Sequence, residues 1–155
     1  MSALYQADYH LWVRRQAQLL RDQQFDDLDV ADLVDELLGL AKRERKELKR
    51  LVKQLMWCVL KSQLNPGYVS DTCRGTLAEQ RDSIIEKMQK MPAIVPLLDD
   101  YFANAYEKAA SKLARKAGLP RSSFAATLPW PKEQLLEEGF MPWTEAERKR
   151  PSADA

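Results

Sequence analysis

Apolar residues recur every three or four positions along most of the chain, which is the spacing of helices that bury one face. The pattern predicts a first helix over about 5–23 and a second helix that begins after the N-capping residue Asp29. Gly39 favours a break, so we predict a separate third helix over about 42–63. A lone glycine costs a helix only about 1 kcal/mol, and one continuous helix is the alternative. We expect the apolar residues of the first two helices in the core: Tyr5, Tyr9, Trp12, Leu19, Leu20, Val30, Leu33, Val34, Leu37 and Leu38.

The third predicted helix changes character along its length. Its first half carries cations on one side and leucines on another, whereas every residue from 55 to 60 is apolar. A helix that is apolar all round is typical of a segment packed on every side. Pro66 and Gly67 then end this helix, because proline interrupts the hydrogen-bond ladder and glycine turns at little cost.

The remaining pattern predicts three more helices. A fourth, capped by Asp71 or Thr72, runs to about residue 90, and a fifth runs from about 94 or 96 to 117. Gly118, with a proline soon after it, is a helix stop. A short helix over about 132–138 completes the series.

These elements predict an all-α fold, because no segment shows sustained alternation of apolar and polar residues. We expect a single helical bundle of about five main helices plus a short C-terminal helix over residues 1–143, followed by a flexible C-terminal tail over 144–155. The length of 155 residues fits one domain. A chain of that size buries roughly 70% of its unfolded surface, so its core needs no disulfide.

Composition limits the functional classes. The net charge of +1 gives no global attraction to nucleic acid or to a membrane surface. The N-terminus lacks the basic start and apolar run of a signal peptide, and the longest apolar run is far too short to cross a bilayer. We therefore expect a cytoplasmic protein with no membrane contact and no cofactor.

Charge is unevenly distributed along the chain. Seven carboxylates and no cation lie between Asp22 and Ala41, whereas seven cations against two carboxylates lie between Lys42 and Lys53. The cations fall on one side of the third predicted helix with an aromatic residue, and we call this set the basic stripe: Lys42, Lys46, Lys49, Arg50, Lys53 and Trp57. A basic groove that contains an aromatic side chain is how many proteins hold single-stranded nucleic acid. A solvated helix face is the more common role of such a charge run, and we favour it.

Other candidate chemistry is weaker. Asp32, Asp35 and Glu36 share a helix face, but they lack the Glu-x-x-His pairs of metal sites in helical bundles, and they fit an acidic helix start better. Cys58 and Cys73 could approach each other across the turn at Pro66, although inert buried thiols are the favoured reading. The only histidine, His10, has no partner at a catalytic spacing. We predict no catalytic residue and no metal site.

The chain resembles a known family. The motifs that carry the resemblance are Tyr5-x-x-Asp8-Tyr9-x-Leu11-Trp12, Gln18-Leu19-Leu20-Arg21, Phe25-x-x-Leu28-Asp29, Leu33-Val34-x-Glu36-Leu37, Leu60-Lys61-x-Gln63-x-x-Pro66, Glu79-Gln80-Arg81, Gly118-Leu119-Pro120 and Pro129-Trp130-x-x-Glu133-Gln134-Leu135-Leu136. Their order and spacing over about residues 4–142 resemble the bacterial domain-of-unknown-function family numbered twenty-nine. The resemblance implies a bacterial helical domain and no established activity. Cys58 stands where that family often has histidine, and Cys73 where it often has tryptophan, so chemistry that depended on the histidine would be missing here.

Two functional hypotheses follow. The leading one is a non-enzymatic protein-interaction module that acts through self-association or an unknown protein partner, since catalytic motifs are missing and the surface is charge-segregated. The alternative is a nucleic-acid-binding protein that uses the basic stripe. An enzyme is the least favoured class.

Overall fold

The structure, a computed structural model, describes residues 2–66 and 71–143, and these residues form helices and connecting turns without a strand. The all-α prediction is confirmed. In chain order the helices are α1 (Ala3–Ala7), α2 (Tyr9–Arg21), α3 (Val30–Leu64), α4 (Asp71–Lys90), α5 (Leu98–Ala117) and α6 (Lys132–Leu135). Short 3-10 turns lie at Phe25–Asp27, Pro92–Leu97 and Arg121–Ser123. The predicted tail over 144–155 lies outside the described residues.

The N-terminal helices differ from the prediction in two ways. The first predicted helix is divided at Asp8, which leaves the helical conformation (φ −149°, ψ 88°) and accepts a hydrogen bond from the Leu11 amide to cap α2. The predicted break at Gly39 is wrong, because α3 is one helix of 35 residues. Good helix formers on both sides of Gly39 outweigh the small penalty of a single glycine.

The chain forms two compact units, Met1–Arg45 and Lys46–Ala155, which we call the N-terminal unit and the C-terminal unit. The helix α3 contributes residues to both. The placement of a single domain boundary at residue 143 stays a prediction.

The N-terminal unit has very little apolar core. Among its described residues only Trp12 and Leu19 are buried hydrophobic side chains. The prediction that the apolar stripe of the second helix lies in the core is wrong, since Val30, Val34, Leu37 and Leu38 are 47% to 64% exposed. Tyr9 and Leu20, also expected in the core, are each 48% exposed.

The C-terminal unit, in contrast, has a continuous core. It is built from the second half of α3 together with α4 and α5, and the segment 55–60 is indeed packed on nearly all sides. The most deeply buried side chains are Leu48, Val52, Leu55, Met56, Val59, Leu60, Ile84, Leu98, Phe102 and Ala110. The periodicity of the sequence predicted these faces correctly.

The ends of the later helices follow their local signals. The helix α4 ends at Lys90 as predicted, whereas Asp71, a predicted N-cap, is its first helical residue. The fifth helix was predicted to begin at about 94 or 96, but Pro92–Leu97 forms a 3-10 turn and α5 begins after it. Pro96, within this turn, cannot donate a backbone hydrogen bond. Gly118 ends α5 in the left-handed conformation (φ 66°), which glycine adopts without a steric penalty.

The C-terminal segment is held to the C-terminal unit by a buried arginine. Arg81 of α4 is 5% exposed, and its guanidinium donates to the carbonyl oxygens of Leu135 (2.8 Å) and Phe140 (2.6 Å). Phe140 and Met141 of this segment pack against the core of the C-terminal unit. The helix α6 is shorter than predicted and ends at Leu135.

Candidate functional site

A groove between α3 and α5 in the C-terminal unit is lined mainly by cations. Its volume is about 820 Å³. Five cations and a single carboxylate line it: Arg50, Lys53, Lys108, Lys112, Arg115 and Glu107. The apolar part of the lining comes from Trp57, Ala105 and Ala109. We call this cavity the α3–α5 groove.

The aromatic floor of the groove is Trp57. Its indole ring has two ammonium groups over it, those of Lys112 (5.3 Å from the ring centroid) and Lys116 (5.5 Å). Both distances are within the range of a cation–π interaction. The two lysines lie one helical turn apart on α5, so the same ring attracts cations from successive turns.

Most of the groove's positive charge has no acidic partner. Glu107, the one carboxylate in the lining, already pairs with Arg121 at 2.8 Å, and Arg50 pairs with Glu47 on its own helix. Among the ion pairs of residues 2–66 and 71–143, none involves Lys53, Lys112 or Arg115. A cavity of this kind attracts anions, because the charges at its rim are not neutralised within the described part of the chain.

The structure brings together part of the basic stripe. Arg50, Lys53 and Trp57 line the groove, as the sequence grouped them. Lys49 lies beside it, with its ammonium 5.0 Å from the centroid of the Tyr101 ring in a small adjoining cavity.

Two members of the basic stripe are not part of the groove. Lys42 and Lys46 are exposed and line neither cavity. The cations of α5 were missed in the sequence, although Lys108, Lys112 and Lys116 recur at intervals of four residues. That spacing indicates one helix side but not which other helix lies opposite.

The two cysteines are close together at the edge of this region. Cys58 lines the groove, and its thiol contacts that of Cys73, as the sequence allowed. Burial, followed by the neighbouring Cys73 thiol, raises the pKa of Cys58 to about 11. No disulfide joins Cys58 and Cys73. A thiol with such a pKa is almost entirely protonated at neutral pH and is a poor nucleophile.

The N-terminal unit contains a different feature, a row of carboxylates that accept hydrogen bonds from α1 and α2. Asp29 accepts from the indole N–H of Trp12 (2.7 Å) and from the Gln16 amide (3.3 Å). Asp32 accepts from the backbone N–H of Ser2 (2.9 Å). Glu36 accepts from the hydroxyls of two tyrosines, Tyr5 and Tyr9. We call Asp29, Asp32 and Glu36 with these donors the carboxylate seam.

The seam perturbs the ionisation of its members. The hydrogen bond to Glu36 raises the pKa of Tyr5 to about 12, and a similar bond raises the pKa of Tyr9. The same two hydroxyls lower the pKa of Glu36, because they stabilise its charged form. Two residues of the candidate acidic cluster, Asp32 and Glu36, therefore have a structural use.

The side of α3 opposite the carboxylate seam is apolar and exposed. Val30, Val34, Leu37 and Leu38 recur at helical spacing along the first half of α3, and we call them the α3 apolar face. The helix α2 adds exposed apolar residues, among them Leu11, Val13 and Leu20. Ten of the thirteen large hydrophobic residues that are exposed in the described chain belong to the N-terminal unit. Their concentration in 45 residues is unusual, since scattered single residues are the common case.

The other candidate chemical groups are dispersed in the described residues. Within residues 2–66 and 71–143, no three side chains of histidine, cysteine, aspartate or glutamate are placed so that they could hold one metal ion. His10 is exposed, and the hydroxyl of Ser62 donates to the carbonyl of Val59 on its own helix. Within the same ranges, no helix combines the length and the apolarity that crossing a bilayer requires.

Comparison with known proteins gives one match. The family model described as Domain of unknown function DUF29 matches residues 4–141. No curated protein and no solved structure was found to match the chain.

Proposed function

Since the chain belongs to the family of the domain of unknown function DUF29, whose description assigns no activity, we propose its function from the geometry alone. We propose that it is a non-enzymatic interaction module that self-associates through the α3 apolar face. The observation that supports this proposal is the exposure of Val30, Val34, Leu37 and Leu38 in a unit that buries few apolar side chains.

The N-terminal unit gains stability when this face is covered. Fully burying a valine or leucine contributes about 1.5–3 kcal/mol. The four side chains are between about half and two-thirds exposed, so covering them contributes roughly 3–7 kcal/mol per copy. A symmetric dimer gains this twice, which is of the same order as the cost of association, about 4–15 kcal/mol. Because the gain and the cost nearly cancel, we expect a weak, reversible dimer whose dissociation constant is about micromolar at the tightest.

Charge favours a second copy as the occupant. The helix α2 carries three exposed cations and no carboxylate, whereas 22–41 carries exposed carboxylates and no cation. The cations are Arg14, Arg15 and Arg21, and the exposed carboxylates are Asp22, Asp26, Asp27 and Asp35. In a two-fold contact each surface meets its own equivalent, so the α3 apolar face of one copy packs on that of the other. Both signs of charge are present on the same unit, so a second copy supplies charges complementary to those at the rim of the apolar centre.

Sedimentation velocity over about 1–300 μM protein, a range that extends from micromolar affinity to weaker association, tests the proposal. We expect the wild-type chain to change from monomer to dimer within this range. The double substitution Leu37→Lys and Leu38→Lys should leave a monomer, because it places two charges in the interface. The matched control is Leu97→Lys, which alters an exposed leucine of the C-terminal unit and should leave the equilibrium unchanged. A wild-type chain that stays monomeric at every concentration and captures no protein in a pulldown contradicts the proposal.

The second candidate function is nucleic-acid binding by the basic stripe. It is supported by the position of Arg50, Lys53 and Trp57 in one cavity with the α5 cations. Counterion release makes such binding salt-dependent. An electrophoretic shift at low salt that is lost when Lys46, Lys49 and Lys53 are changed to glutamate would support it. The lack of any shift at low salt would eliminate it.

A further inference from the structure

The α3–α5 groove has the dimensions of a small-ligand site. Its volume of about 820 Å³ lies within the range of about 300–1,000 Å³ that is usual for ligand pockets. It is lined by residues of α3 and α5 and by Thr76 of α4, and all three helices contribute to the core of the C-terminal unit. A ligand could therefore bind there without a change in the fold.

The cations of the groove favour a ligand with several phosphates. Lys108, Lys112 and Arg115 recur on one side of α5, and Lys53 lies opposite on α3. Residues three and four positions apart on a helix are neighbours, so these side chains can contact adjacent phosphates. The guanidinium of Arg115 adds a planar fork that matches two phosphate oxygens. A single phosphate would use only part of this array.

The aromatic floor favours a planar ring next to those phosphates. Trp57 is half-buried: it packs against the core, and the ammonium groups of Lys112 and Lys116 lie over its ring. These long side chains can swing toward phosphates and uncover the indole. A nucleobase then stacks on it, as bases do on aromatic residues of single-strand-binding proteins. The small side chains of Ala105 and Ala109 leave room beside the ring.

We infer that the α3–α5 groove binds a nucleotide, with its base stacked on Trp57 and two or more phosphates held by Lys53, Lys112 and Arg115. A free nucleoside polyphosphate and a stretch of single-stranded nucleic acid share this chemistry. The inference rests on the second candidate function, nucleic-acid binding, and specifies its ligand. It is independent of self-association, because each residue that it uses lies in the C-terminal unit and outside the α3 apolar face. Failure of one proposal therefore leaves the other measurable.

Three probes separate the parts of the inference in calorimetric titrations of the full chain at low salt. These are ATP, inorganic tripolyphosphate and a thymidine 20-mer. We expect ATP or the 20-mer to bind, and tripolyphosphate to bind at least about fivefold more weakly than ATP because it lacks the stacking base. A saturating response to ATP identifies the free nucleotide as the ligand, and a response to the 20-mer alone identifies the strand.

Substitutions locate the binding. The double variant Lys112→Glu and Arg115→Glu should weaken binding at least about tenfold, since it reverses two of the phosphate contacts. Trp57→Leu should weaken binding of the base-containing probes and leave tripolyphosphate unchanged. The matched controls are Lys90→Glu, an exposed lysine of α4, and Lys46→Glu, a member of the basic stripe outside the groove. Circular dichroism on each variant verifies the helical fold.

Three results would overturn the inference. The first is that neither ATP nor the 20-mer binds to the wild-type chain. The second is that Lys46→Glu weakens binding as much as the double variant does, because the ligand would then contact residues of the basic stripe that lie outside the groove. The third is that tripolyphosphate binds as tightly as ATP, because Trp57 would then have no role.

Discussion

The buried guanidinium of Arg81 should be among the most important polar groups for the stability of the C-terminal unit. It supplies hydrogen bonds to two carbonyl oxygens, and both of these belong to residues after α5, at Leu135 and Phe140. A hydrogen bond from a charged group contributes about 1.5–3 kcal/mol net. Lysine keeps the charge but has a single ammonium in place of the planar fork. It can reach one carbonyl and leaves the other unsatisfied, so we expect Arg81→Lys to lower the free energy of unfolding by about 2–4 kcal/mol.

Urea unfolding followed by circular dichroism measures this effect. A change of about 2–4 kcal/mol should move the midpoint concentration without altering the slope, because the surface exposed on unfolding stays the same. The matched control is Arg74→Lys on the same helix, which changes an exposed arginine. Surface substitutions of this kind normally alter stability by no more than about 0.5 kcal/mol. If both variants unfold at the same urea concentration, Arg81 does not hold the C-terminal segment as we describe.

Three further predictions concern the N-terminal unit, α3 and the thiols. The stabilisation from the Tyr5–Glu36 hydrogen bond should be present near neutral pH. It should be lost as the pH rises from 10 toward about 12, because Tyr5 ionises, and as the pH falls below about 4.5, because Glu36 is protonated. Absorbance at the phenolate band should show a tyrosine that titrates near pH 12, and this titration should be missing in Tyr5→Phe. If the titration near pH 12 remains in Tyr5→Phe, the hydrogen bond between Tyr5 and Glu36 is not its cause. Gly39→Ala should raise the free energy of unfolding by about 1 kcal/mol, because a Cβ there meets no atom within 4 Å. Gly118→Ala should lower it by about 1 kcal/mol, because residue 118 has a φ of 66°. Urea unfolding in which both variants change the free energy in the same direction would refute this. The rise in the pKa of Cys58 from 9.0 to about 11 should slow its alkylation about a hundredfold near neutral pH relative to the urea-unfolded chain, as read by mass spectrometry, and equal rates would be the contrary result.

The sequence predicted the C-terminal unit better than the N-terminal unit, for a physical reason. The end of α5 at Gly118 is set by a local signal, a left-handed glycine, and Asp71 places a favourable negative charge in the first turn of α4. The apolar stripes of the later helices face a core large enough to bury them. Short-range rules therefore gave both the elements and their buried sides.

In the N-terminal unit two faces of one helix compete for the inside. Val30, Val34 and Leu37 form an apolar face, and Asp29 and Glu36 lie on another face at helical spacing. Periodicity favours burial of the apolar face. The aromatic and amide donors that make the carboxylates the inner face come from α1 and α2, and such pairings cannot be derived from spacing within α3.

The sequence indicated the α3 wall of the groove but not the α5 wall. Arg50, Lys53 and Trp57 follow from the charge pattern of one helix, and they line the groove. The opposite wall, with Lys112 and Arg115, depends on which helix packs beside α3. A sequence pattern within one element does not contain that information, so the stripe was found and the cavity was not.

The carboxylate seam has a consequence for how the two sides of the N-terminal hairpin tolerate substitution. Hydrogen bonds depend on length and angle, so shortening Glu36 to aspartate would withdraw its oxygens from both phenols, and sliding the helices by a turn would misalign every pair together. Contacts between aliphatic groups have no such directionality. Positions on the inner side are thus restricted to one residue type and one alignment, whereas Val34 or Leu37 could exchange for any aliphatic residue of similar size.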